Sequence, residues 1–234
     1  MTNIMTFSYD SRPIQTIVNQ IKNFNKRDGI DLQPTYQRGY IWGKEFIDKL
    51  WYSIIKGYPI GNISLRVLSV KNAKGAMLEV VDGQQRLTSI YNFMVGEYTI
   101  QGDVARSIVE YIVEYMGAEN DPQLEKLKKK LSNRGKITVK YEQLPELIKE
   151  NINSFNISIT NINNSSDDEI TEYFRYLQNQ ERLRAGEIIN SIPSSTLEKY
   201  IDKISDKKRL LGILNFSNER KQFDRVFYSC LLYT

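Results

Sequence analysis

Val80-Val81-Asp82-Gly83-Gln84-Gln85-Arg86-Leu87 is an apolar run that breaks at Asp-Gly and resumes with the period of a helix. Residues 77–82 before the break are mostly apolar and read as a strand. After it, Leu87, Ile90, Tyr91 and Met94 fall at i, i+3, i+4 and i+7, the stripe of an amphipathic helix over 84–95. A strand that runs straight into a helix needs a sharp turn, which Gly83 can make at little steric cost. The first helical turn presents backbone N–H groups without intrahelical partners, and the helix dipole favours an anion there. Arg86 lies in that turn and can grip a phosphate with two N–H groups. Gln84 and Gln85 can donate to phosphate or orient a water. Asp82 can hold a metal ion or accept a proton. The plainer alternative is an everyday Asp-Gly turn in which Asp82 only caps the helix.

Working outward, residues 62–70 read as a second strand, joined to 77–82 by the turn Asn72-Ala73-Lys74-Gly75. Apolar side chains at 46, 47, 50, 51, 54 and 55 predict a helix over 44–56, stopped by Gly57-Tyr58-Pro59. Residues 30–37 read as extended, since Pro34 breaks any helix. Downstream, 103–131 read as mostly helical with interruptions near Gly117 and Pro122. A strand at 137–141, a helix at 145–155 and a strand at 157–162 follow. The polar run Asn161 to Ser166 reads as a loop, with Asp167 or Asp168 as the cap of the next helix. Ile170, Tyr173, Phe174 and Leu177 make its apolar stripe, and the remainder reads as helical. The fold class is therefore α+β: a mixed sheet with packed helices over 1–162, then a helical extension over 163–234. The extension ends on an apolar, uncapped Phe227 to Thr234, expected where a longer protein continues or another copy packs, with a mobile native terminus as the plainer alternative.

Composition excludes more than it selects. The 234 residues contain no histidine, which removes Ser-His-Asp triads, Cys-His pairs, His-based zinc sites and His-Asn-His nuclease chemistry from this chain. The single cysteine, Cys230, cannot form an internal disulfide, and the start of the chain lacks a signal-peptide pattern. No apolar run is long enough to span a bilayer, so a cytoplasmic, membrane-free setting is expected. A net charge of +4 permits contact with phosphates without requiring it.

A second segment, Leu32-Gln33-Pro34-Thr35-Tyr36-Gln37-Arg38-Gly39-Tyr40-Ile41-Trp42, groups aromatics, an arginine and a glutamine around a glycine. Such a group can sandwich a base while Arg38 holds phosphate. Tyr36, Tyr40 and Trp42 can equally be core residues with polar tips.

Three elements together resemble a known family. Pro34-Thr35-Tyr36-Gln37-Arg38-Gly39-Tyr40-Ile41-Trp42 is similar to the opening Pro-x-Tyr-Gln-Arg-x-Tyr-x-Trp element of the GmrSD-type N-terminal domains. Gly57-Tyr58-Pro59-Ile60-Gly61 resembles their Gly-x-Pro-Ile-Gly turn, and Asp82-Gly83-Gln84-Gln85-Arg86 their Asp-Gly-Gln-Gln-Arg signature. A looser likeness covers Phe174 to Asn190, where Tyr176 stands in place of a common Arg and Gln180-Glu181 in place of a usual Gly. The resemblance implies a ParB/sulfiredoxin-like core that binds, and in family members hydrolyses, a nucleoside triphosphate, often GTP. It implies a part in defence against phage DNA, including modified DNA, beside a His-Asn-His nuclease domain that this chain lacks. On this reading Asp82, Gln84, Gln85 and Arg86 carry the chemistry, with Mg²⁺ on Asp82. Tyr36, Gln37, Arg38, Tyr40, Trp42 and Gly83 bind the nucleotide. The partners are the nucleotide, duplex DNA and a nuclease outside the chain.

Lys126 to Lys140 is a basic run without an acid. Lys128, Lys129, Arg134 and Lys136 could track a nucleic-acid backbone. The alternative, a solvated helix face over a Leu124, Leu127 and Leu131 stripe, is favoured for the helix itself. Asp167-Asp168-Glu169 suits a helix start, and Glu142, Glu146 and Glu150 are spaced as a solvated face. Three functional classes remain open on sequence alone: a triphosphatase without a P-loop, a binding module without turnover, and a structural subunit.

Overall fold

The computed structural model describes residues 4–34, 39–117, 119–132 and 135–178. The chain divides into two compact units, Met1–Gln178 and Asn179–Thr234, and the described residues all belong to the first.

That unit is α+β. A five-stranded mixed sheet has the order β1-β7-β3-β4-β2, with β1 at Thr6–Pro13, β2 at Ile30–Asp31, β3 at Ile63–Val67, β4 at Leu78–Asp82 and β7 at Asn156–Asn163. β1 runs antiparallel to β7 and β3 antiparallel to β4, whereas β3–β7 and β2–β4 are parallel. A two-stranded ladder joins β5 (Ile100–Gln101) to β6 (Thr138–Val139). The helices are α1 (Ile14–Lys22), α2 (Lys44–Ile55), α3 (Gln84–Met94), α4 (Asp103–Met116), α5 (Pro122–Ser132), α6 (Glu146–Ser154) and α7 (Asp167–Gln178).

Alternation along the strands separates two apolar clusters. Ile63 and Leu65, Leu78 and Val80, and Ile157 and Ile159 join the main core with buried residues of α1 to α6. Val81 and Ile162 belong instead to a smaller cluster with Ile170 of α7. The helix expected beyond residue 162 thus packs its first three turns with the sheet, and the compact unit extends to Gln178.

Among the strands and α-helices, β1, α1 and the two-residue β5 went unread in the sequence. β1 is exposed at six of its eight positions, as an edge strand can be, so it has no in–out alternation to read. α1 had a signal: Ile14, Ile17, Val18 and Ile21 fall at i, i+3, i+4 and i+7, and all are buried. The stretch 30–37, expected to be extended, begins with the two-residue β2 at Ile30–Asp31, and its residues 35–37 lie outside the described residues; the strand expected at 137–141 shortens to Thr138–Val139. The cap of α7 is Ser166 rather than Asp167 or Asp168. Its Oγ accepts the Glu169 N–H at 3.3 Å and its own N–H donates to Glu169 Oε2 at 2.8 Å, a reciprocal capping box. That hydrogen bonding from Ser166 holds the Glu169 carboxyl below its ordinary pKa. Asp167 pairs instead with Arg66 of β3 at 2.7 Å, and Arg66 also donates to the Ser165 carbonyl at 2.8 Å. Two links therefore tie the start of α7 to the sheet.

Among the described residues, no helix is long and apolar enough to cross a membrane.

Candidate functional site

β4 ends at Asp82 and α3 begins at Gln84, with Gly83 between them in the left-handed region at φ 92°. A side chain is doubly excluded there: a Cβ on Gly83 would lie 2.1 Å from Ile63 Cδ1. Gly83 is the N-cap, and no side chain caps this helix end, so Asp82 does not serve as the cap.

Each of the next three side chains ties down a different stretch of chain. Gln84, buried, donates through Nε2 to the Leu32 carbonyl at 2.9 Å. Gln85 Oε1 accepts the N–H groups of Ile41 and Trp42 at 2.9 and 3.1 Å, and its Nε2 donates to the Gly39 carbonyl at 3.3 Å. Arg86 donates to the Ile60 carbonyl and to Asp82 Oδ2, both at 2.8 Å. Its guanidinium needs the glycine at position 61, where a Cβ would lie 2.7 Å from Nη1. The N-terminus of α3 is thus ringed by 32–34, 39–42 and 60–61, each tied to it by one side chain of the Gln84-Gln85-Arg86 run.

A second tier supports the ring. The Ser89 hydroxyl donates to the Gln85 carbonyl at 2.7 Å and lies 2.9 Å from the Tyr40 hydroxyl. Trp51, fully buried in α2, donates to the Ser89 carbonyl at 3.4 Å and packs on Phe93 with ring centroids 4.3 Å apart. Just past the segment, buried Asp48 accepts Lys44 Nζ at 2.6 Å and the Tyr98 hydroxyl at 2.7 Å. Burial, and then the Asp48 carboxylate, push the Tyr98 phenol well above its ordinary pKa.

The expected site residues fall into four sets. Asp82, Gly83, Gln84, Gln85 and Arg86 meet at the α3 terminus, joined by Tyr40 through Ser89. Tyr36, Gln37, Arg38 and Arg134 lie outside the described residues. Trp42 sits over Gln85 by its backbone, while its ring stacks on exposed Phe46 at 5.7 Å and 29°. The basic run lies elsewhere, with Leu124 and Leu127 buried beneath it. Lys128 pairs with Glu125 at 2.8 Å, whereas Lys129 and Lys136 are exposed. Lys130 donates to the Thr138 carbonyl and to Gln143, and burial lowers its pKa. The residues that sequence reasoning missed are Leu32, Ile60, Gly61 and Ser89. For Ser89 the helical spacing to Gln85 was a usable signal. The others contribute through backbone position.

If the glutamine clamp holds the 32–42 segment, Gln85→Ala should lower stability by about 1–3 kcal/mol, since three main-chain groups lose their partner. It should also speed proteolytic cleavage within 32–42. A melting curve and a limited digest check both, and an unchanged digest would mean that the segment is held by other contacts.

No curated protein and no solved structure gives a match to this chain. The sequence model of the family described as GmrSD restriction endonuclease, N-terminal domain, matches residues 14–194, which takes in α1 to α7 and the whole ring around Gly83. The chain belongs to the GmrSD restriction endonuclease N-terminal domain family.

Proposed function

We propose that the chain is the nucleotide-binding, NTP-hydrolysing sensor domain of a restriction system, with GTP the favoured nucleotide and the nuclease on a separate domain or subunit. The observation that carries this is the α3 N-terminus. It lacks a side-chain cap, follows a left-handed glycine and is ringed by three fixed segments. The first-turn N–H groups would receive phosphate oxygens. Arg86 has two N–H groups engaged, and a guanidinium carries further donors that a phosphate could meet. Asp82 is half-exposed and uses only Oδ2 on Arg86, so its other oxygen fits an Mg²⁺ held mainly by phosphate and water. The ion would supply charge neutralisation at the transferred phosphoryl group. The described residues bring no group of three His, Cys, Asp or Glu together, which fits an ion carried by the nucleotide. Phosphoryl transfer rests mostly on positioning and charge, so the lack of histidine is compatible with it. The expected roles of Tyr36, Gln37 and Arg38, and duplex DNA as the sensed partner, complete the reading.

A second reading, a nucleotide- or DNA-binding module without turnover, is favoured by one observation. Gln84, Gln85 and Arg86 already hold backbone, which leaves Asp82 the sole candidate base at this end among the described residues.

Asp82→Asn separates the readings better than Arg86→Ala, because Arg86 also anchors Ile60. Asp82→Asn removes one half-exposed ion pair, so stability should change by no more than about 1 kcal/mol. Phosphate release from GTP, ATP and CTP with Mg²⁺, with and without duplex DNA, should fall on the order of a hundredfold. Binding without release in the wild type would select the second reading. No binding of any triphosphate would sink both.

A further inference from the structure

A cavity of about 510 Å³ lies between α1, β2 and the flank of α3, and none of Asp82 to Arg86 lines it. Its lining includes Lys22, Phe24, Gln33, Thr88, Tyr91 and Asn92. Three features make it more than a surface dent. Phe24 is 42% exposed, and among the described residues neither it nor Tyr91 stacks on another ring, so two unstacked aromatics wall the cavity. The polar side chains of Gln33, Thr88, Tyr91 and Asn92 converge there, and none makes a hydrogen bond among the described residues. Lys22, exposed at the last turn of α1, has no acidic partner among them. The one carboxylate in the lining, Asp31, is engaged by Lys74 and Asn72 at 3.0 Å each.

We infer that this cavity binds a single nucleotide unit, a nucleobase carrying a phosphate, as a second site distinct from the α3 terminus. A planar heteroaromatic ring suits the aromatic walls. Its hydrogen-bonding edge would meet the amides of Asn92 and Gln33 and the hydroxyls of Thr88 and Tyr91. Lys22 would receive the phosphate at the mouth. Such mixed lining, apolar with a few convergent polar groups, is the usual make-up of a small-molecule site. None of Asp82 to Arg86 lines this cavity, and the two sites meet only at the 32–33 stretch, whose Leu32 carbonyl Gln84 holds.

The unit could come from a free mononucleotide or from an unstacked base in single-stranded DNA. Titration calorimetry with the four deoxynucleoside monophosphates, and with an eight-nucleotide single strand, distinguishes them. The variants are Tyr91→Leu, Lys22→Gln and Asp82→Asn, with melting curves to verify folding. Saturable binding is expected for at least one probe. It should weaken about tenfold in Tyr91→Leu, the size of one lost stacking contact. Lys22→Gln, a surface change that leaves the core intact, should weaken it and flatten the salt dependence by about one phosphate contact. Asp82→Asn should leave it unchanged, so failure here is separable from failure of the triphosphate reading. Binding of monophosphates only assigns the free nucleotide, and binding of the oligonucleotide only assigns DNA. Absence of saturable binding up to about millimolar probe, or binding indifferent to both Tyr91→Leu and Lys22→Gln, overturns the inference.

Discussion

Gly83→Ala is expected to destabilise the protein by about 3 kcal/mol, a large share of the stability of a typical domain. Two penalties combine. An alanine at φ 92° is held in the left-handed region, which costs about 1–2 kcal/mol. Its methyl group would lie 2.1 Å from Ile63 Cδ1 and 3.3 Å from Ile63 Cγ1, so fully buried Ile63 must move within a packed core for a further 1–3 kcal/mol or so. The second penalty has a single principal atom as its source, which makes it testable. Ile63→Val removes that Cδ1 and leaves the backbone strain untouched. In the valine background Gly83→Ala should therefore cost about 1–2 kcal/mol less than in the wild type. Urea denaturation of the four proteins in the cycle measures this. Additive effects of the two substitutions would show that the clash does not govern this position.

Trp51→Ala should cost about 3–5 kcal/mol, the range for truncating a fully buried large aromatic. Trp51 fills the space between α2 and α3, packs on Phe93 and donates to the Ser89 carbonyl. Trp51→Phe keeps most of the packing but loses the donor, and should cost roughly 1–2 kcal/mol. The alanine variant should also loosen the site, because Ser89 links Tyr40 to Gln85. A cost below about 1 kcal/mol for Trp51→Ala would mean that the core collapses around the gap, with α3 repositioned.

These two positions show what was legible in the sequence. The junction at Gly83 was, because an apolar run, an Asp-Gly pair and a helical stripe follow one another within fifteen residues, Val80 to Met94. α2 was legible for the same reason, and its expected span of 44–56 differs from the observed Lys44–Ile55 by one residue. The short ladders at Ile30–Asp31, Ile100–Gln101 and Thr138–Val139 are two residues long, a single period of strand alternation with no repeat to bound them. At the site, the residue types were read but not their partners. An amide donates equally well to a phosphate or to a carbonyl, and nothing local to Gln84 shows that Leu32, 52 positions earlier, lies beside it. The Asp82–Arg86 pair also went unread, though it offered a signal. Its i, i+4 spacing was visible beforehand, and such pairs commonly bond each other.

The sheet order has a consequence for the growing chain. β7, at Asn156–Asn163, lies between β1 and β3, so the first strand has no neighbour until some 160 residues have been made. Through most of synthesis β1 is a free edge, a template for other chains. β2, β3, β4 and α3 are complete by residue 94 and can assemble from near neighbours. Closing the sheet across the intervening chain is a long-range step, which slows folding. The ring around Gly83 can therefore form while the ribosome is still supplying the strand that joins β1 to β3.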